Sequence, residues 1–280
     1  MTWHKYDPAE LEREYTPASR VENIQTYLDQ YATEGRHSRQ TIRHDRLQYG
    51  QHTDEWMWLA RQPKNLANEA TLIDEERRKK LIVFVHGGFW RRLSADDGTF
   101  LTNAWHQLGF DYASINYSLC PREPLETLVG QVLKAIQHLQ TTYDATDITL
   151  IGHSAGAHLI AMGLTSKSIP KFEQAILVSG IFDLEPITKT SVNDAIRLDE
   201  KSARRLSPIH LVTHAQDTPM TIIWGENETD EFKRQSRDFA SAWGEVKNHS
   251  LVFTREIARR NHFDILYDLP AQDVIGLRGA

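Results

Sequence analysis

Apolar positions along the chain fall into two regimes, with the change at Leu81. From there on, short apolar runs recur at Leu81–Val85, Tyr112–Tyr117, Ile148–Ile151, Ala175–Val178, Thr221–Trp224 and Leu251–Phe253, each bounded by turn residues. Most are followed by a helical stretch. The clearest is Leu125–Leu139, where Leu125, Leu128, Val129, Val132, Leu133, Ile136 and Leu139 share one apolar face. Strands apolar on both faces, alternating with helices, predict an α/β fold built on a mostly parallel, doubly wound sheet with helices on both faces.

Ahead of Leu81 the pattern differs. Residues 7–50 are polar and helix-prone, with Asp7-Pro8 and Thr16-Pro17 as helix starts. Val21, Ile24, Tyr27, Leu28 and Tyr31 recur at helical spacing and form one face. Residues 1–50 are therefore expected as a helical N-terminal segment, lying across the sheet or over the active site as a cap. Glu55–Ala60 alternates weakly, as an early antiparallel strand would, and Asn65–Lys80 reads as a loop. With no repeat, low-complexity tract or second-domain boundary, residues 1–280 are expected to form a single domain.

Composition narrows the class. Apolar residues make up 40% of the 280 positions, enough for a sizeable core. The net charge of −6, without a basic stripe, argues against a nucleic-acid partner. Cys120 is the single cysteine and permits no internal disulfide, which fits a reducing compartment. No apolar leader opens the chain and no stretch reaches membrane-spanning length, so a cytoplasmic location without membrane contact is expected. The oligomeric state stays open, a homodimer included.

The chemistry gathers at Asp147–Leu159, DITLIGHSAGAHL. Its G-x-S-x-G, Gly152 to Gly156, stands between a strand and a helix. That context presents a serine on a strained turn, with small neighbours letting strand and helix pack closely around an exposed Oγ. A serine hydroxyl needs a base to take its proton, and the base is usually a histidine oriented by a carboxylate. In strand–turn–helix hydrolases the order is serine, acid, histidine. His262, in Arg259–Asp264, is the only one of thirteen histidines that follows a late strand; His249 precedes its strand. For the acid, Glu226, Glu228, Asp230 and Glu231 compete on one loop, where all would also suit a helix N-terminus. Oxyanion donors are expected from His86-Gly87-Gly88-Phe89-Trp90, after the first strong strand, and from Ala155.

Taken together, HGGFW, GHSAGAHL, SGIFDLEPI (Ser179–Ile187), Ser207-Pro208, EFKRQS (Glu231–Ser236) and NHFDI (Asn261–Ile265) resemble the kynurenine formamidases. These arylformamidases form a branch of the hormone-sensitive-lipase-like α/β-hydrolases. The resemblance runs in order from about Tyr49 to Leu269. It implies a nucleophile at Ser154, a base at His262, and oxyanion donors at Gly87, Gly88 and Ala155. The family's aspartate falls at Glu228, a change of residue type, with Asp230 as the alternative acid. A second departure lies at Glu55–Arg61, where the family's early strand reads differently.

The implied reaction is hydrolysis of an aryl formamide such as N-formyl-L-kynurenine through a formyl-serine, needing neither metal nor cofactor. The expected partner is a small aromatic substrate, with Trp90 and Phe263 as walls of its slot. Rival readings are a carboxylesterase on small acyl or aryl esters, a formamidase for another aryl formamide such as N-formylanthranilate, and a non-catalytic ligand receptor.

Overall fold

The computed structural model describes residues 2–62, 80–143, 147–166, 172–215, 217–247 and 251–271. Eight strands form one sheet: β1 (Asp45–Gln48), β2 (Trp56–Ala60), β3 (Lys80–Val85), β4 (Asp111–Ile115), β5 (Asp147–His153), β6 (Gln174–Val178), β7 (Met220–Gly225) and β8 (Val252–Ile257). Their spatial order is β1-β2-β4-β3-β5-β6-β7-β8. β1 and β2 pair antiparallel; β3 to β8 run parallel.

Strand periodicity accounts for the double burial. Leu81, Val83 and Val85 enter one apolar cluster, while Ile82 and Phe84 enter the other, on the opposite face. The first cluster packs against α4 (Leu125–Thr142), α5 (Ala155–Leu164) and α8 (Asp230–Lys247). The second is closed by α2 (Ile24–Thr41), α3 (Thr102–Gln107) and a 3₁₀ turn at Asp264–Asp268. Two short helices, α6 (Asn193–Ile196) and α7 (Glu200–Arg205), lie between β6 and β7. The expected apolar face of α4 is buried at Leu125, Leu128, Val129, Val132, Ile136 and Leu139, with Leu133 half-buried.

The N-terminal segment starts as its residues dictate. Asp7 caps α1 (Pro8–Glu14): its carboxylate accepts from Glu10 N while Glu10 returns a bond to Asp7 N. A 3₁₀ turn follows at Pro17–Arg20. The Ile24–Tyr31 face packs on the second cluster, with Tyr31 stacked on Phe100 at 4.7 Å. The expectation of a helical stretch through residue 50 needs correcting at its end. Asp45–Gln48 is a sheet-edge strand, held by pairing to Trp56–Leu59. Its polar sequence carries no strand periodicity, so the neighbouring strand decides its conformation. The expected Asn65–Lys80 loop falls almost entirely outside the described residues, as does His249. No helix among the described residues is long and apolar enough to cross a membrane.

Candidate active site

Sheet register brings the expected site residues to one edge. Val85 of β3 pairs with Gly152 of β5, so the residues just beyond, Gly87 and Ser154, emerge side by side at the carboxyl ends of the strands. A Cβ on Gly87 would lie 3.1 Å from Ser154 Cβ. On the other side, Gly225 of β7 pairs with Ile257 of β8, which aligns the loops carrying Glu228 and His262.

Ser154 caps α5 with φ +54° and ψ −117°, a conformation that costs free energy and persists because its surroundings fix it. Its N–H donates to Val178 O at 2.8 Å. Gly156 explains the tightness of the turn: a Cβ there would stand 2.1 Å from Val85 O. Ala155 N opens α5, where first-turn N–H groups have no partner within the helix. Across from it, the loop after β3 runs left-handed at Gly88 (φ +100°), Phe89 (+50°) and Trp90 (+57°). Gly88 O closes that turn by accepting from Arg91 N and Arg92 N.

The four competing carboxylates are sorted by their contacts. Glu228 is buried; its Oε2 lies 2.9 Å from His262 Nδ1. Its Oε1 accepts from Ser179 Oγ and Gly225 N, both at 2.6 Å. Glu226 is exposed and accepts from Arg259 N; Asp230 is exposed at the start of α8. Glu231 is buried but faces elsewhere, accepting from Tyr15 Oη and from Arg234. Only Glu228 of the four meets His262. Because its carboxylate accepts at Nδ1, the imidazole keeps Nε2 as the nitrogen able to take a proton.

Ser154, His262, Gly88 and Phe263 line one chamber of about 200 Å³. Trp90 does not. Expected as a wall, it is fully buried in the core instead, its indole N–H donating to His158 Nδ1 at 3.2 Å. The left-handed backbone turns the chain sharply here, and Phe89 lines the chamber in its place. The N-terminal segment supplies further walls, among them Tyr15, Pro17, Leu28 and Tyr31.

Several supporting residues lie within the quoted motifs, but the sequence assigned them no role of their own. His153, the residue before the serine, is buried, and its Nε2–H donates to His262 O at 2.8 Å. Burial, then the neighbouring His262, holds its basicity well below the ordinary histidine value, so it is neutral. Phe232 meets the His262 ring edge-on at 4.6 Å. His86 stacks on Tyr117 at 4.2 Å and contacts Gly87 O through Nδ1, pushed down to about 4 by burial. Asn261 accepts from Phe263 N and Asp264 N, and Tyr31 Oη donates to Phe263 O at 2.5 Å. Among the described residues no group of three or more His, Cys, Asp or Glu side chains is arranged to hold a metal ion.

Comparison with known proteins agrees with this architecture. A family model described as the alpha/beta hydrolase fold matches residues 82–218. A kynurenine formamidase of Danio rerio is 32% identical over 200 residues, covering 68% of this chain and 67% of that protein. One from Salmo salar is 30% identical over 199 residues, with 68% and 67% covered. Among solved structures, a thioesterase candidate of silicibacter sp. tm1040 superposes with a TM-score of 0.82 at 24% identity, covering 96% of this chain and 99% of that one. That last likeness speaks of fold alone. With the formamidase matches extending over two thirds of each protein, the chain belongs to the kynurenine formamidase family of α/β-hydrolases.

Proposed function

We propose that this hydrolase cleaves an aryl formamide such as N-formyl-L-kynurenine, giving formate and the aromatic amine through a formyl-serine intermediate. The observation that carries the reading is the buried Glu228–His262 pair at 2.9 Å, opening on the same chamber as Ser154.

Ser154 Oγ attacks the formyl carbon while His262 Nε2 takes its proton. Glu228 stabilises the imidazolium that results. The oxyanion accepts from Ala155 N–H and from the N–H groups of the Gly87-Gly88 turn, each such donor contributing about 10²–10³ in rate. Collapse breaks the C–N bond, and His262 returns the proton to the departing aniline nitrogen. An aniline leaves more readily than an alkyl amine, so esterase machinery suffices. Water, deprotonated by His262, then attacks the formyl-serine and releases formate and the free hydroxyl.

A formyl group carries only hydrogen and needs almost no acyl pocket, whereas the aryl half needs the apolar walls that Phe89, Phe263 and Tyr15 provide. On aryl esters with a common leaving group, kcat/KM is expected to fall steeply from formyl and acetyl to butyryl. N-formylkynurenine is expected to be turned over by the wild type and not by Ser154→Ala. A flat or rising series to butyryl, with no turnover of the formamide, identifies a general esterase and overturns the reading.

A further inference from the structure

Arg91 lies on the wall of the chamber, three residues beyond Gly88. Its Nε–H is shielded from solvent and has no acceptor. Among the described residues its guanidinium has neither a carboxylate nor a hydrogen-bond partner. Other partly buried guanidinium groups are paired, Arg39 with Thr99 and Asp96 and Arg234 with Glu231 and Asp238, whereas Arg92, which also lines the chamber, is exposed. A shielded donor without an acceptor is costly, and one on a cation more so.

The one carboxylate that lines the same chamber forms no ion pair with Arg91. Glu12 is held on Ser191, which donates its N–H to Oε2 at 2.8 Å and its hydroxyl to Oε1 at 2.5 Å. With Arg92 also on the wall, the lining carries two guanidinium groups against one carboxylate, beside apolar side chains. Arg91 N–H is bonded to Gly88 O at 3.1 Å, so its backbone belongs to the turn expected to supply oxyanion donors, and its side chain reaches the chamber from there.

We propose that Arg91 receives a carboxylate on the aromatic half of the substrate, making it the specificity-determining residue for acid-bearing substrates over their neutral counterparts. The proposal rests on the formamidase reading for its reaction, but the recognition step is separable from it. A guanidinium offers a planar fork that matches a carboxylate, and in a largely apolar surrounding such a charge-assisted pair is stronger than in water.

The test compares N-formylkynurenine with its methyl ester, and 3-(4-acetoxyphenyl)propanoate with its methyl ester. For wild type, kcat/KM is expected to favour each free acid by about tenfold to a hundredfold, mainly through KM. Arg91→Gln should bring both ratios near one, and Arg91→Lys should keep part of the preference through charge alone. A wild-type ratio near one, which requires no variant, overturns the proposal. So does a ratio that Arg91→Gln leaves intact. If the aryl acetates show the preference while both formamides are inert, the formamidase reading fails and anion recognition stands. Turnover of both formamides at equal rates leaves the formamidase reading standing and removes Arg91 from it.

Discussion

The hydroxyl of Tyr15 donates a 2.9 Å hydrogen bond to Oε2 of Glu231, joining residues 216 positions apart inside the protein. The same hydroxyl accepts from Gln235 Nε2, whose Oε1 in turn accepts from Phe182 N and Asp183 N. Nearby, Glu14 accepts from Glu231 N, and Thr229 donates to Glu14 O. The N-terminal helix is thus tied to the segment that follows Glu228, and Tyr15 lines the chamber.

Removing that hydroxyl tests the tie. Tyr15→Phe leaves Glu231 on Arg234 and Gln235 on Asp183 O, so the loss is confined to the bonds at the phenol. Stability is expected to fall by roughly 1.5–3 kcal/mol, the range for a hydrogen bond to a charged group, read from the urea midpoint at unchanged slope. KM should rise more than kcat falls. An unchanged midpoint would show that the N-terminal segment is not held through this contact.

The acid assignment has a sharp readout. Glu228→Gln keeps an acceptor for Ser179 Oγ–H and Gly225 N–H only by turning its NH2 toward His262 Nδ1, which drives the imidazole proton onto Nε2. Turnover is expected to drop by roughly 10²–10⁴-fold, because the imidazolium loses its partner and the neutral ring holds the wrong tautomer. Asp230→Asn, on an exposed residue, should change turnover by less than about twofold. Steady-state kinetics on the two variants decide the matter; the reverse ranking removes Glu228 from the role.

Acid sensitivity follows from buried neutral histidines. His86 and His158 are each pushed down to about 4 by burial, against an ordinary value of 6.5. Between those values the unfolded chain binds more protons than the folded one, so stability rises with pH through this window and is lost as pH falls from 6.5 toward 4. At pH 5 each group is expected to cost on the order of 2 kcal/mol relative to neutrality. Urea midpoints measured from pH 7 to 4.5 should decline accordingly. His158→Gln, which takes up no proton, should flatten part of that decline; an equally steep profile in the variant would exclude His158 as a source.

What could be read in the sequence, and what could not, divides along physical lines. The parallel strands were legible because burial on both faces leaves continuous apolar runs, as at Leu81–Val85. Ser154 was legible because the close approach at Gly156 excludes any side chain there. Asp45–Gln48 was not, since its strand character comes from Trp56–Leu59 rather than from its own polar residues. Among the carboxylates, helix-start chemistry and triad chemistry favour the same residue types on one loop, so spacing could not choose. The resemblance pointed to Glu228, and the contact with His262 is a matter of three dimensions. Trp90 was misread for a related reason. Three successive left-handed residues decide which side chain reaches the chamber, and only glycine's place among them shows in the sequence.

The bond from His153 to the carbonyl of His262 has a consequence for a protein lacking the proposed base. That carbonyl is held by the ring of its neighbour, Phe263 O by Tyr31, and the turn itself by Asn261. None of these anchors uses the His262 side chain. His262→Ala should therefore leave the loop where it is and open a ring-shaped void between Glu228 and Phe232. Imidazole dissolved in the buffer fits such a void in size and can accept from the serine while donating to Glu228. Activity should return with added imidazole and saturate, and should not return when Glu228→Gln is combined with His262→Ala. On this expectation the anchoring of the backbone makes the proposed general base a replaceable part.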